Sequence, residues 1–295
     1  MRWRRLRAPD LERAFHGVRR QVTESAPSVR ELADAYAKRM PRRQVFSHAT
    51  AAALWGVPLP PLERWGEGRA ARPLLDVSVP RGSARPAARG IRGHVIDLDR
   101  VAVMELNGLR VVDAASAWVQ LGANLGFEDL VAAADFLLTG TEPYDRCPPW
   151  CTRADLEDAV ARHTGRRGAA RLRLALAAAR YGSLSRRETF ARLDLVAAGL
   201  PEPALNHRVA LADGTERMID LAYPEYRVGI EYQSDLHRSP AAWRRDIRRL
   251  EMLADAGWTI VQATADDVSG DGRLRGSTAF AERVRARLRS RGWPG

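Results

Sequence analysis

The distribution of apolar and polar positions is easiest to read from residue 183 to the end of the chain. "SRRETFARLDLVAAGLPEP" has helical spacing, with Ser185 as its cap and Glu188 three residues on, the spacing of a capping box. "HRVALADGTERMIDLAY" predicts two strands joined across an Asp213-Gly214 hairpin turn, and "RVGIEYQ" predicts a third strand. "SPAAWRRDIRRLEMLADAGW" is an amphipathic helix stopped by Gly257, with Trp243, Ile247, Leu250 and Ala254 on its apolar face. "TIVQAT" is a fourth strand and "STAFAERVRARLRS" a closing helix, so the order is αβββαβα.

The preceding part of the chain is less regular. Residues 1–40 predict one or two amphipathic helices, with Leu11, Ala14, Phe15 and Val18 on one face. Ser47 is placed to cap a short, small-residue helix over 49–54 that ends at Gly56 and Pro58. Three β-like runs follow at 74–80, 91–98 and 108–113, then two helices, "AASAWVQLGANL" and "FEDLVAAADFLLTG", the second closed by Gly140. "TEPYDRCPPWCT" is dense in proline and turn formers and marks a linker. Two further helices, "RADLEDAVARHTG" and the basic "RRGAARLRLALAAARYG", lie between it and residue 183. The expected division is a mostly helical, winged-helix-like domain with short strands over 1–140, a linker with basic helices over 141–182, and a mixed domain over 183–295. The expected class is α/β in the broad, α+β sense.

Composition narrows the partners. The net charge of +11 points to a polyanion, most simply nucleic acid. Lys38 is the only lysine among the 47 basic residues, so much of the excess also reflects a general arginine bias. Arginine clamps phosphate but stays protonated, which makes it a poor general base. No apolar run is long enough to cross a bilayer, and the basic start lacks the apolar segment of a secretory signal; a cytoplasmic protein with no membrane partner is expected. Cys147 and Cys151, with three residues between them in "CPPWC", fit neither a redox pair nor a zinc site and are expected to be unpaired thiols.

Two acids carry the candidate chemistry. Asp220 lies where the second strand leaves the core and Glu231 near the end of the third, with the turn "YPEY" between them. The strands are expected to be antiparallel neighbours, and the acids converge if twist or distortion brings them together. Two carboxylates at one sheet edge are costly unless a positive charge sits between them. A Mg²⁺ or Mn²⁺ ion would serve and could activate a water against a phosphodiester. Glu188 is a third acid with two readings, a capping residue or a group that orients water. His237 in "SDLHRSP" is either exposed or a general base at neutral pH. Arg245, Arg248 and Arg249 either meet phosphates or form an ordinary charged helix face.

The block "SRRET…GLPEPALNHRV…DGTERMIDLAYPEYRVGIEYQSDLHRSPAAWRRDIRRLEMLADAGWTIVQAT", about 183–270, resembles the very-short-patch-repair-like branch of the PD-(D/E)XK nuclease superfamily. That resemblance implies a restriction-endonuclease-like αβββαβ core, a divalent metal and phosphodiester cleavage in DNA. It assigns Asp220 and Glu231 as the metal acids and Glu188 as the helix acid. Gln233 falls where superfamily members usually carry lysine, and His237, Asp246 and Arg249 match further polar positions. Gln233 is the departure: it can orient a water but cannot supply the charge that lysine gives the transition state. The N-terminal half, in "FSHATAAALWGVPLP", "HVIDL" and "GLRVVDAASAWVQLG", is similar to the region that accompanies such domains in AbiEi-type antitoxins of type IV toxin–antitoxin systems. This keeps a second expectation open, a non-catalytic DNA-binding regulator built on a degenerate nuclease fold.

Overall fold

The computed structural model describes residues 8–22, 25–60, 74–141, 148–233, 240–268 and 279–295. The fold is α+β, with mixed sheets and no barrel. The chain divides into two compact units: unit 1 comprises 1–125 and 150–177, and unit 2 comprises 126–149 and 178–295. This partition differs from the sequential one expected at 140 and 183, because a helix from the middle of the chain belongs with the C-terminal residues.

Unit 1 begins with a hairpin, β1 (Leu11–Phe15) and β2 (Val18–Gln21), where helices were expected. Phe15 pairs with Val18 across His16 and Gly17, and Gly17 takes φ +77, the left-handed backbone that a two-residue hairpin turn demands. Phe15 and Val18 are buried either way, so the spacing that suggested a helical face also suits the hairpin. One helix of the expected region does form, α1 (Val29–Ala37), with a complete capping box between Ser28 and Glu31.

The body of unit 1 is a five-stranded sheet of β3 (Val45–Phe46), β4 (Leu75–Pro80), β5 (Ile91–Ile96), β6 (Val103–Leu106) and β7 (Leu109–Val112), ordered β5-β4-β3-β7-β6. The helices α2 (His48–Leu54), α3 (Ala114–Leu121), α5 (Arg153–Arg162) and α6 (Ala169–Ala178) accompany it. Trp55 and Trp118 are core residues; the Trp55 indole donates to the Val112 carbonyl at 2.9 Å. Ser47 precedes α2 but its hydroxyl does not cap the helix, being bonded to Ser78 instead.

Unit 2 has three layers. Its sheet joins β8 (Ala204–Ala210), β9 (Glu216–Tyr223), β10 (Val228–Tyr232) and β11 (Thr259–Ala263) in the order β11-β10-β9-β8. β9 is antiparallel to β8 and β10, and β11 runs parallel to β10. On one face α4 (Phe127–Thr139), α7 (Arg186–Ala197) and α9 (Ala279–Ser290) bury Ala132, Phe190, Leu195, Phe280 and Val284 against Leu221, Ile230 and Val261. On the other face α8 (Pro240–Asp255) sets Leu253 against Ile219, Ala222 and Val209. The expected face of α8 is therefore shifted: Leu253 is buried, Ile247 and Leu250 are half-buried and Ala254 is exposed.

Buried charge, besides apolar packing, ties α4 to this unit. Asp135 of α4 is 1% exposed and accepts from the Arg180 backbone N–H at 2.6 Å, the Thr189 hydroxyl at 2.9 Å and Arg192 at 3.2 Å. Arg192, 2% exposed, also donates to Glu202 at 2.8 Å and to the Ala178 carbonyl at 2.9 Å. A buried carboxylate needs such partners, and they come from residues far along the chain. Arg186 of α7 adds a bond to Asp129 of α4 at 2.6 Å.

Candidate active site

The site is built where β9, β10 and α7 meet. The backbone pairing of β9 with β10 runs Val228↔Tyr223, Gly229↔Ala222 and Ile230↔Leu221, and the next step of the same register would set Glu231 opposite Asp220. There the ladder stops. Tyr232 donates its backbone N–H to the Asp220 carboxylate at 2.9 Å, so a side chain serves that donor on the β9 side. On the other side Gln233 donates its backbone N–H to the Ala263 carbonyl of β11 at 2.7 Å. The strand alternation of β9 also breaks at this point: Ile219 buries into the core under α8 while Leu221, two residues on, buries into the opposite core. This local distortion is what allows the two acid-bearing strands to share an end.

β8 is irregular at the same level. His207 pairs with Ile219 and Leu205 with Leu221, but Asn206, between them, has φ +46 and drops out of the pairing. Its amide donates to the Gly182 carbonyl at 2.5 Å and to Glu188 Oε2 at 3.0 Å. Asn206 was not singled out from the sequence, although asparagine within a strand run is a signal, being poor in strands and tolerant of left-handed backbone.

Glu188 enters from α7. Ser185 caps the helix through the Glu188 backbone N–H at 3.1 Å, but the reciprocal half of the capping box is absent. The Glu188 carboxylate accepts from the Leu184 backbone N–H at 3.0 Å instead. Glu188 is 7% exposed, and burial followed by the charge of Asp220 pushes its carboxyl up to about 7. Burial likewise raises Asp220, against the lowering pull of the Tyr232 N–H and of Arg249. Glu188 and Asp220 therefore form a repelling pair near neutrality.

Glu231, 1% exposed, is treated differently. Arg249 of α8 donates to its Oε2, and the same guanidinium also reaches the Met218 carbonyl at 3.5 Å. The sequence offered Arg249 to incoming phosphates; in the structure its charge is committed to Glu231 and also acts on Asp220. Arg245 and Arg248 are exposed on α8, as phosphate-meeting residues must be. His237 lies outside the described residues. Arg187, beside Glu188 on α7, was not singled out; its guanidinium lies 5.9 Å from the centre of the Tyr232 ring and donates to the Val268 carbonyl at 3.4 Å.

The donor chemistry suits a hard divalent cation. The three acids are carboxylates, and Glu188 and Asp220 carry a mutual repulsion that a cation would relieve. Among the described residues no three acidic, histidine or cysteine side chains are grouped to hold an ion, and Glu231 is paired with Arg249. Elsewhere, the Cys151 thiol is pushed up to about 12, chiefly by burial, which leaves it unreactive at neutral pH. Cys147 lies outside the described residues. Among the described residues no helix is long and apolar enough to cross a membrane.

No family model matches the chain, and no solved structure matches it. It is 39% identical over 126 residues to two proteins of Mycobacterium tuberculosis strains, the uncharacterized protein Rv2248 and the uncharacterized protein MT2308. The matched stretch is 42% of this chain and 46% of each relative, less than half the length of the curated relatives.

Proposed function

We propose that unit 2 is a metal-dependent DNA endonuclease domain that hydrolyses phosphodiester bonds at Asp220, Glu231 and Glu188. The observation that carries this reading is Asp220 at a distorted strand end beside Glu188, which is held near 7, with Glu231 next in register on the neighbouring strand. A Mg²⁺ or Mn²⁺ ion held by Asp220 and Glu231 would supply positive charge and a more acidic bound water. Glu188 Oε2 is occupied by the Leu184 and Asn206 N–H groups, so its proton is held and released at Oε1. A carboxyl titrating near 7 is matched to proton transfer at neutral pH. Gln233 offers no charge, and Arg187, Arg245 and Arg248 are the nearby cations that remain for phosphate.

A specific observation favours a second reading, a DNA-binding regulator without cleavage. The Arg249–Glu231 ion pair fills the position of a missing cation with a fixed one, and Gln233 stands where a lysine would assist hydrolysis. The two are separated by incubating the full chain with plasmid and with single-stranded DNA in Mg²⁺ or Mn²⁺, beside Asp220→Ala and Glu231→Ala. Cleavage by the wild type that is lost in both variants supports the nuclease. No cleavage by the wild type, with DNA binding retained in both variants, leaves the regulator.

A further inference from the structure

Unit 1 contains a cavity of about 260 Å³ that plays no part in the acid site of unit 2. It is bounded by the end of β5 and the residues after it, by α3, and by α5 with the turn that follows. Arg100, Arg162, Arg166 and Arg167 bring four guanidinium groups to its lining, and Asp97 is the one carboxylate there. Asp97 is shared, lying 3.7 Å from Arg100 and 3.8 Å from Arg81. Arg100 also donates to the Arg162 carbonyl at 2.9 Å, which ties the loop after β5 to the end of α5 and fixes the rim. The rest of the lining includes Ile96, Val101, Val119 and Ala159. An excess of positive charge over an apolar floor suits an anion attached to a small organic body.

His48 supplies the second, independent observation. It lines the cavity with its backbone at φ +49, a conformation that a residue with a Cβ holds only when its surroundings enforce it. Those surroundings are on every side. The His48 backbone N–H donates to Gln120 Oε1 at 2.7 Å, and its ring stacks on His94 at 3.8 Å between centres, 19° from parallel. His94 is held in turn by Asp76, 2% exposed, at 2.7 Å.

The His48 ring is also held through its Nδ1. Ser78 donates to Ser47 Oγ at 2.6 Å, and Ser47 Oγ is hydrogen-bonded to His48 Nδ1 at 3.0 Å. A neutral imidazole has one N–H donor and one acceptor nitrogen. Burial first, then the charges of His94, Arg92 and His163 against that of Asp76, hold His48 down to about 4, so at neutral pH it is a neutral, oriented N–H donor.

We propose that this cavity binds a phosphomonoester, a terminal phosphate on a compact organic group such as a mononucleotide, with the His48 ring as its oriented neutral donor and Arg100, Arg162 and Arg166 as its charge partners. The volume lies at the small end of ligand cavities, large enough for one phosphate and a compact body and too small for a duplex segment. A terminal phosphate could come from a free nucleotide or from the end of a nucleic-acid strand, and both present the same dianion. The inference rests on unit 1 alone and stands whether or not the chain cleaves DNA.

The test is calorimetry on the full chain, with histidine ring resonances followed by NMR. The probes are inorganic phosphate, a nucleoside 5′-monophosphate, the matching nucleoside, and one short oligonucleotide with either a 5′-phosphate or a 5′-hydroxyl. The monophosphate is expected to bind and the nucleoside not, with the His48 resonances displaced and the His48 pKa raised by the anion. Arg162→Gln with Arg166→Gln, at exposed positions where folding is not at stake, should weaken binding about tenfold or more. His48→Asn, which tolerates left-handed backbone, should weaken it as well. Preference for the 5′-phosphorylated oligonucleotide over the 5′-hydroxyl one would identify a strand end as the source; equal neglect of both, with the mononucleotide bound, would identify a free nucleotide. Failure of every phosphate probe to bind, binding that is indifferent to both variants, or equal binding of the two oligonucleotides without the mononucleotide would overturn the proposal.

Discussion

Replacing Glu188 with glutamine tests the electrostatics of the acid site without relying on catalysis. In the folded chain the Glu188 carboxyl is raised from its ordinary 4.5 to about 7, by burial and then by Asp220. A carboxyl raised on folding binds its proton more tightly in the native state than in the unfolded one. Native stability therefore falls as pH climbs from 4.5 towards 7 and is flat with respect to this group outside that window. The displacement corresponds to a penalty of about 3 kcal/mol at pH 8, as an order of magnitude. Glu188→Gln removes the charge while keeping an oxygen for the Leu184 and Asn206 N–H groups, and its new amide can donate towards Asp220. Urea unfolding of both proteins from pH 4 to 8 should show no difference at the acid end and a variant more stable by about 2–3 kcal/mol at pH 8. Saturating Mg²⁺ should shrink that advantage, because an ion at the acids stabilises the wild type preferentially. A difference that does not vary with pH, or a variant less stable than wild type at pH 8, would refute the pairing of Glu188 with Asp220.

Four other outcomes follow from the packing and charge of the two units. Leu253→Ala should cost about 2–5 kcal/mol by denaturant unfolding while Ala254→Leu stays within about 0.5 kcal/mol, and the reverse order would return α8 to the face read from sequence. Gly168 has φ +89 and a Cβ there would sit 2.2 Å from the Gly122 carbonyl oxygen, whereas Gly165 has φ +78 with open space. Gly165→Ala should therefore cost about 1–2 kcal/mol and Gly168→Ala clearly more, as read from thermal melts. Arg192→Met should cost about 3–5 kcal/mol by leaving Asp135 buried without its cation, and adding Asp135→Asn should recover part of the loss in a double-mutant cycle. If α8 faces DNA, Arg245→Gln with Arg248→Gln should lower the salt dependence of binding by a log–log slope of about 2, equally for all sequences.

The chain's local chemistry already carried much of this. Ser185, Gly140, Gly257 and the Asp213-Gly214 turn fall at element ends because caps and turns depend on the backbone needs of a few neighbouring residues. The order αβββαβα and the two strand acids were legible for the same reason. The N-terminal hairpin was not, since Leu11, Ala14, Phe15 and Val18 satisfy a helical face and a hairpin equally, and the turn at Gly17 decides between them only once Phe15 and Val18 find a shared core.

Tertiary structure alone decided the charge partners. Asp135 sits in a stretch that reads as an ordinary helix, and its buried bonds to Arg192, Thr189 and Arg180 are visible only once α4 lies within unit 2. Arg249 looked like one of three equivalent arginines until the fold set it against Glu231. Glu188 became a titrating group instead of a plain capping residue because the fold buries it and sets the charge of Asp220 beside it. Periodicity and capping are properties of a short window of chain; which charge neutralises which depends on the low-dielectric neighbourhood that distant elements create together.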